Sequence, residues 1–126
     1  MSGFVRAART GERYDLGGAV FTVKAAGADS EGRVAVMEQE APAGLVVPPH
    51  VHDGEDEMFY VLAGRVAGHC GDEELGAGPG DFLFLPRDVE HALRVVGDGP
   101  ARLLTIVGPA VFDRVVAEQG VPLGRA

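Results

Sequence analysis

Short apolar runs with alternating polar positions fill most of this chain, and turns containing glycine or proline interrupt them about every eight to twelve residues. Tyr14 to Leu16 and Val20 to Ala25 read as short strands broken by Gly17-Gly18, and residues 27–32 as a loop. Arg33 to Ala41 has the length and alternation of a strand, and Pro42 ends it. Glu57 to Ala63 and Arg65 to Cys70 read as the two arms of a hairpin about Ala63-Gly64. Residues 71–80 carry four glycines and a proline and predict turns around one very short strand. Asp81 to Leu85, His91 to Val96 and Ala101 to Val107 complete the set. No helical period precedes residue 108, so the pattern predicts an all-β sandwich or barrel.

The tail changes character. Pro109 at a helix start and Gly120 just past its end bracket a predicted helix over residues 109–119, with Val111, Phe112, Val115 and Val116 as its apolar stripe. It is expected to lie on the outside of the barrel. Residues 1–13 form a weakly patterned N-terminal arm in which Phe4 and Val5 are possible edge-strand residues. The length predicts one domain, residues 1–126, able to bury about two-thirds of its unfolded surface without staples.

Composition narrows the partners. A net charge of −8 argues against nucleic acid, which binds basic surfaces. No apolar run is long enough to span a membrane and no basic-plus-apolar leader is present, so the expected location is cytoplasmic. The single cysteine, Cys70, excludes an internal disulfide framework. It follows His69, but no third partner accompanies the pair, and both read as the end of a strand.

The candidate chemistry is concentrated at His50, His52, Glu57 and His91. His50 and His52 lie two apart in an extended segment opened by Pro48-Pro49, which sends both rings to one side. Glu57 follows across a tight acidic turn and heads an apolar strand. Two imidazoles and a carboxylate converging from neighbouring strands begin a site for a divalent transition metal. His91 sits far along the chain, after a second strand and a turn containing Pro86.

These residues resemble the two motifs of the cupins. Gly44, His50, His52, Glu57 and Gly64 stand at the spacing of the first motif at every position. Gly80, Pro86 and His91 match the second, where Asp88 replaces a glycine and Val95 an asparagine. The resemblance implies a cupin double-stranded β-helix (a jelly-roll barrel) with the short C-terminal helix, and a tail similar to those of small bacterial quercetinase-like cupins. It implies one divalent metal ion per chain (iron, manganese, nickel, copper, cobalt or zinc), held by His50, His52, Glu57 and His91. Glu57 rather than Glu55 or Asp56 is chosen by the motif spacing, and the flanking acids are expected to form a solvated turn. The resemblance further implies a homodimer, assembled through the sheets and the amino-terminal arm, with residues 4–25 and the outward Met58, Tyr60 and Leu62 as its candidate surfaces.

Strand parity from Glu57 and His91 sends Phe59, Val61, Leu93 and Val95 inward, together with either the Phe82/Phe84 or the Leu83/Leu85 face. Phe59, Val61 and Leu93 are thus the candidate substrate-binding residues. The function that fits is a metal-dependent dioxygenase acting on a small apolar or aromatic molecule that chelates the metal, with Glu57 as proton acceptor, the role its counterpart has in quercetinase-like cupins. A metal-dependent isomerase or decarboxylase would need a second acid or base, or an arginine such as Arg87 or Arg94 to clamp a carboxylate or phosphate. A non-catalytic binding module is the third alternative.

Overall fold

The computed structural model describes residues 2–125. Eleven strands and one α-helix follow in the order β1 (Glu12–Leu16), β2 (Ala19–Ala25), β3 (Ala35–Ala41), β4 (Val46–His50), β5 (Asp56–Ala63), β6 (Arg65–Cys70), β7 (Glu73–Ala77), β8 (Phe82–Leu85), β9 (His91–Val96), β10 (Ala101–Gly108), α1 (Phe112–Gln119) and β11 (Val121–Arg125). They build a seven-stranded sheet, β11-β1-β2-β3-β10-β5-β8, and a four-stranded sheet, β4-β9-β6-β7. All the pairings are antiparallel. This is the expected all-β jelly roll with a short helix at its C-terminal end.

The core forms where the inward faces of the two sheets meet. Met37, Val61, Val66, Leu85 and Leu103 are almost wholly buried there. Along β5 the alternation is regular: Glu57, Phe59 and Val61 are buried, while Tyr60 and Leu62 are exposed. On β8 the Leu83/Leu85 face is the buried one, and Phe82 and Phe84 stand 57% and 50% exposed on the outside. Gly68 permits the close approach of β6 to β9, because a Cβ there would overlap the Ala92 carbonyl oxygen.

Several local expectations change. The helix begins at Phe112, three residues after Pro109, and Gly120 is its C-cap. Residues 73–77 make a five-residue strand rather than a very short one, since the Cys70–Glu73 end of the β6–β7 hairpin closes through a tight turn. Phe4 and Val5 belong to no strand and are 50% and 93% exposed. The arm is instead fastened to β2 through Lys24, whose Nζ donates to the carbonyls of Ala7 and Thr10 at 2.8 Å. Its carbonyl accepts from Arg6 Nε. The edge position next to β1 is filled by β11, which carries both Pro122 and Gly124 and lacks the apolar alternation of a half-buried strand.

Candidate metal centre

Pro48 and Pro49 have no N–H to donate, so the β4–β9 ladder is interrupted between Val47 and His50 and resumes with His50 opposite His91. That irregularity puts two histidines of the four-stranded sheet side by side. Glu57 arrives from the seven-stranded sheet, where it pairs with Leu85 and Val107. His52 comes from the loop between β4 and β5. One potential ligand atom from each of His50, His52, Glu57 and His91 lies within 4.8 Å of all the others. The cluster joins the two sheets at one end of the barrel.

The turns that carry these side chains are locked to each other. Asp88 adopts a left-handed backbone (φ 66°), the conformation a glycine would supply and one that aspartate tolerates better than most residues. Its N–H donates to the His52 carbonyl and its Oδ1 accepts from the Gly54 N–H, both at 2.9 Å. Beside it, the Asp56 carboxylate accepts the Arg87 N–H and two guanidinium bonds at 2.9–3.2 Å. Those bonds hold the half-buried Asp56 carboxyl below its ordinary pKa. Two turns some 30 residues apart thus behave as one unit, and Arg87 is spent on this clamp.

In each histidine Nδ1 faces an oxygen acceptor, which turns Nε2 toward the centre. His50 Nδ1 is 2.9 Å from the Pro48 carbonyl, His91 Nδ1 is 3.3 Å from the Val89 carbonyl, and His52 Nδ1 is 2.9 Å from Glu55 Oε1. Each acceptor takes the Nδ1 proton, which leaves Nε2 of the neutral ring as a lone pair facing the centre. His50 Nε2 and His52 Nε2 are then 3.2 Å apart, lone pair toward lone pair. Glu57 Oε1 lies 3.3 Å from His91 Nε2 and 3.5 Å from His52 Nε2. His91 is 1% exposed, yet its Nε2 has no hydrogen-bond partner, because the nearby carboxylate is out of line. Converging lone pairs and a buried carboxylate repel in the absence of a cation. Donors about 2.1 Å from a shared ion would stand about 3.0 to 3.4 Å from their neighbours, close to the 3.2, 3.3 and 3.5 Å separations of these three pairs. The residues fit a metal ion.

Electrostatics divides the histidines. Burial pulls the His50 pKa below its ordinary value, and only partly offsetting it is the Pro48 carbonyl bond. Burial acts in the same direction on His52, but the Glu55 hydrogen bond and the charges of Glu57 and Glu55 outweigh it and raise the pKa. For Glu55 burial would raise the value, and the bonds from His52, Phe112 and Val111 instead hold it low.

Glu55 departs from the solvated turn expected of the flanking acids. It is 2% exposed, and Val111 and Phe112 donate their backbone N–H groups to its Oε2 at 2.6 and 2.8 Å. Nothing in the local sequence announces this, because the donors lie more than fifty residues away, at the start of α1.

A cavity of about 480 Å³ opens onto the cluster, in the size range of small-molecule sites. His50, Glu57 and His91 form one end, and Phe59, Leu93, Val95, Leu103 and Phe112 supply much of its apolar wall. Val61, a candidate substrate-binding residue, is not part of that wall: its position on β5 puts it in the core, with no exposed surface. Arg94 and Val46, register partners on β9 and β4, also line the cavity and are exposed. Gln39 is a residue that parity from the histidines did not reveal. It lines the cavity from β3, is 8% exposed, and accepts a 3.2 Å hydrogen bond from the buried Thr105 hydroxyl through its Oε1. That bond leaves the amide NH₂ free to donate. A polar side chain at an inward strand position was the available signal.

The comparisons agree with this architecture. The family model for the cupin domain matches residues 36–107. The chain belongs to the cupin domain family. It is 27% identical over 112 residues to a quercetin 2,3-dioxygenase of Bacillus subtilis, covering 89% of this chain and 33% of that protein. It is also 27% identical over 66 residues to an oxalate-binding protein of Thermotoga maritima, covering 52% of this chain and 54% of the relative. The chain thus spans between a third and about half the length of these relatives. Among solved structures, KdgF from Halomonas sp. superposes with a TM-score of 0.76 at 18% identity, covering 90% of this chain and 99% of that one. Among the described residues no helix is long and apolar enough to cross a membrane.

Proposed function

We propose that the chain binds one divalent transition metal ion through His50, His52, Glu57 and His91 and acts as a dioxygenase-type oxidoreductase on a small apolar or aromatic substrate that chelates the metal. The observation that carries this reading is the apolar cavity ending on a nitrogen-rich donor cluster. Three imidazoles and one carboxylate suit iron, manganese, nickel, copper, cobalt or zinc and are too rich in nitrogen for magnesium or calcium. When bound, such an ion supplies a Lewis-acid centre and, if redox-active, a path for electrons between substrate and dioxygen. The chain's own residues do the rest. Glu57, buried and within reach of the cluster, accepts the proton that a coordinating hydroxyl must lose. Phe59 and Leu93 exclude water and hold an aromatic ring against the cavity wall. The free Gln39 amide donates to a substrate oxygen remote from the metal.

Oxygen consumption by metal-loaded protein, screened against flavonols, catechols and diketones, tests the reading. Uptake with at least one of them, lost in Glu57→Ala, is expected; silence across the panel with each metal would sink it. A non-catalytic binding module is the second reading, favoured by the relative named for oxalate binding. Ligand bound without turnover would favour it. The isomerase or decarboxylase reading is weaker: Arg87 is occupied by Asp56, so a carboxylate clamp would rest on Arg94 alone.

The proposed assembly is a homodimer. Tyr60 lies beside Phe82 on paired strands, and both stand exposed near Leu62 and Phe84 on the outer face of the larger sheet. A second copy covering these rings would remove a contiguous apolar surface from water. Sedimentation at micromolar concentration is expected to give a dimer for the native chain and a monomer for a Phe82→Glu, Phe84→Glu variant. A native monomer would exclude the assembly. A net charge of −8 leaves nucleic acid outside the expected partners, and the proposed location is cytoplasmic.

A further inference from the structure

Glu55 uses both carboxylate oxygens, and they point in two directions. Oε1 accepts from His52 Nδ1 at 2.9 Å, and Oε2 accepts from the Val111 and Phe112 N–H groups at the N-terminus of α1. The His52 ring meets the same segment a second time, for Phe112 packs edge-on against it with centroids 5.3 Å apart. Phe112 also packs edge-on against Phe21 at 5.7 Å and forms part of the cavity wall. One carboxylate therefore joins a metal-centre histidine to the helix that closes the side of the cavity.

We infer that Glu55 is a positioning residue that couples metal binding at His52 to the seating of α1, so that loading the centre and setting the Phe112 wall are linked events. The inference rests on the metal centre proposed above and not on any particular reaction. An ion drawing on His52 Nε2 makes the Nδ1–H a stronger donor, which strengthens its bond to Glu55 and holds the carboxylate in place for the helix N–H groups. Linkage makes the effect reciprocal: whatever factor a seated helix adds to metal affinity, the metal adds to helix seating. The carboxylate also lies where the helix dipole favours negative charge.

Amide hydrogen exchange of the full chain with and without cobalt(II) tests this, beside cobalt affinity and the visible cobalt spectrum of Glu55→Gln. In the native chain cobalt is expected to slow exchange at residues 111–119, most at Val111 and Phe112. Glu55→Gln is expected to bind cobalt about 10- to 100-fold more weakly, with a shifted d–d spectrum and no metal-dependent protection of α1. Phe112→Ala leaves all four ligands and Glu55 intact, and is expected to weaken cobalt binding several-fold. Native protein that binds cobalt with unchanged exchange over 111–119 overturns the coupling, as does a Glu55→Gln protein with native affinity and spectrum. Failure of the native chain to bind cobalt at all would instead remove the metal centre itself. Loss of oxygenase activity alone bears only on the proposed reaction.

Discussion

Stripping the metal and adding it back is the perturbation with the most direct physical consequence. His50 Nε2 and His52 Nε2 face each other at 3.2 Å, and the buried His91 Nε2 has no hydrogen-bond partner. An ion that binds this folded cluster, and the unfolded chain only weakly, stabilises the protein by about 2.7 kcal/mol at one hundred times Kd and about 4.1 kcal/mol at a thousand times Kd. A domain of this size shifts its midpoint by roughly 4 °C per kcal/mol, so rises of about 11 and 16 °C are expected. Residual binding to the histidines of the unfolded chain reduces both figures. The assay is thermal unfolding of chelator-treated protein, followed by titration with cobalt, nickel, zinc or manganese, with magnesium and calcium as controls. A Glu57→Ala, His91→Ala variant is expected to show no rise. A midpoint indifferent to every transition metal, or a variant that rises as much as the native chain, would refute the reasoning from converging lone pairs.

Metal affinity should fall as pH drops below about 6.5, because the ligand nitrogens must be unprotonated. His52, whose raised pKa reflects carboxylates outweighing burial, takes a proton before His50, whose pKa burial lowers. In the metal-free protein protonated His52 adds stability that is full below the unfolded value of 6.5 and is lost as pH rises through the higher folded value. His50 acts with the opposite sign, its contribution present above 6.5 and lost as pH falls through its lowered value. Cobalt titrations between pH 5 and 8 check the affinity, and a flat profile would contradict it. Gln39→Leu should weaken binding of an oxygen-bearing ligand about tenfold and leave the Thr105 hydroxyl unsatisfied, at about 1–2 kcal/mol of stability; calorimetry and denaturant unfolding separate the two effects. Gly68→Ala should destabilise by about 3 kcal/mol, since its Cβ would overlap the Ala92 carbonyl on the strand that carries His91. An unchanged denaturation midpoint would mean that β6 can shift away without cost.

The sequence by itself determined the all-β class, most of the strands and the candidate donor residues, for reasons of period and spacing. Side chains alternate strictly along a strand, so placing Glu57 inward placed Phe59 and Val61 inward too, and left Tyr60 and Leu62 outside. Two prolines before His50 fixed an extended segment, and the matched motifs brought His91 into account from forty residues away. Parity reports only the face of a sheet, however, and not the depth along it. Only the tertiary structure decided that Val61 belongs to the core while Leu93 lines the cavity. Only the approach of α1 decided that Glu55 is buried, because its N–H partners come from residues 111 and 112. The edge pairing of β11 escaped the pattern for a similar reason: a strand exposed along its whole length needs no apolar alternation, and its partner at residues 12–15 supplies the hydrogen bonds. Local chemistry picked out the donor residues; long-range packing chose what holds them.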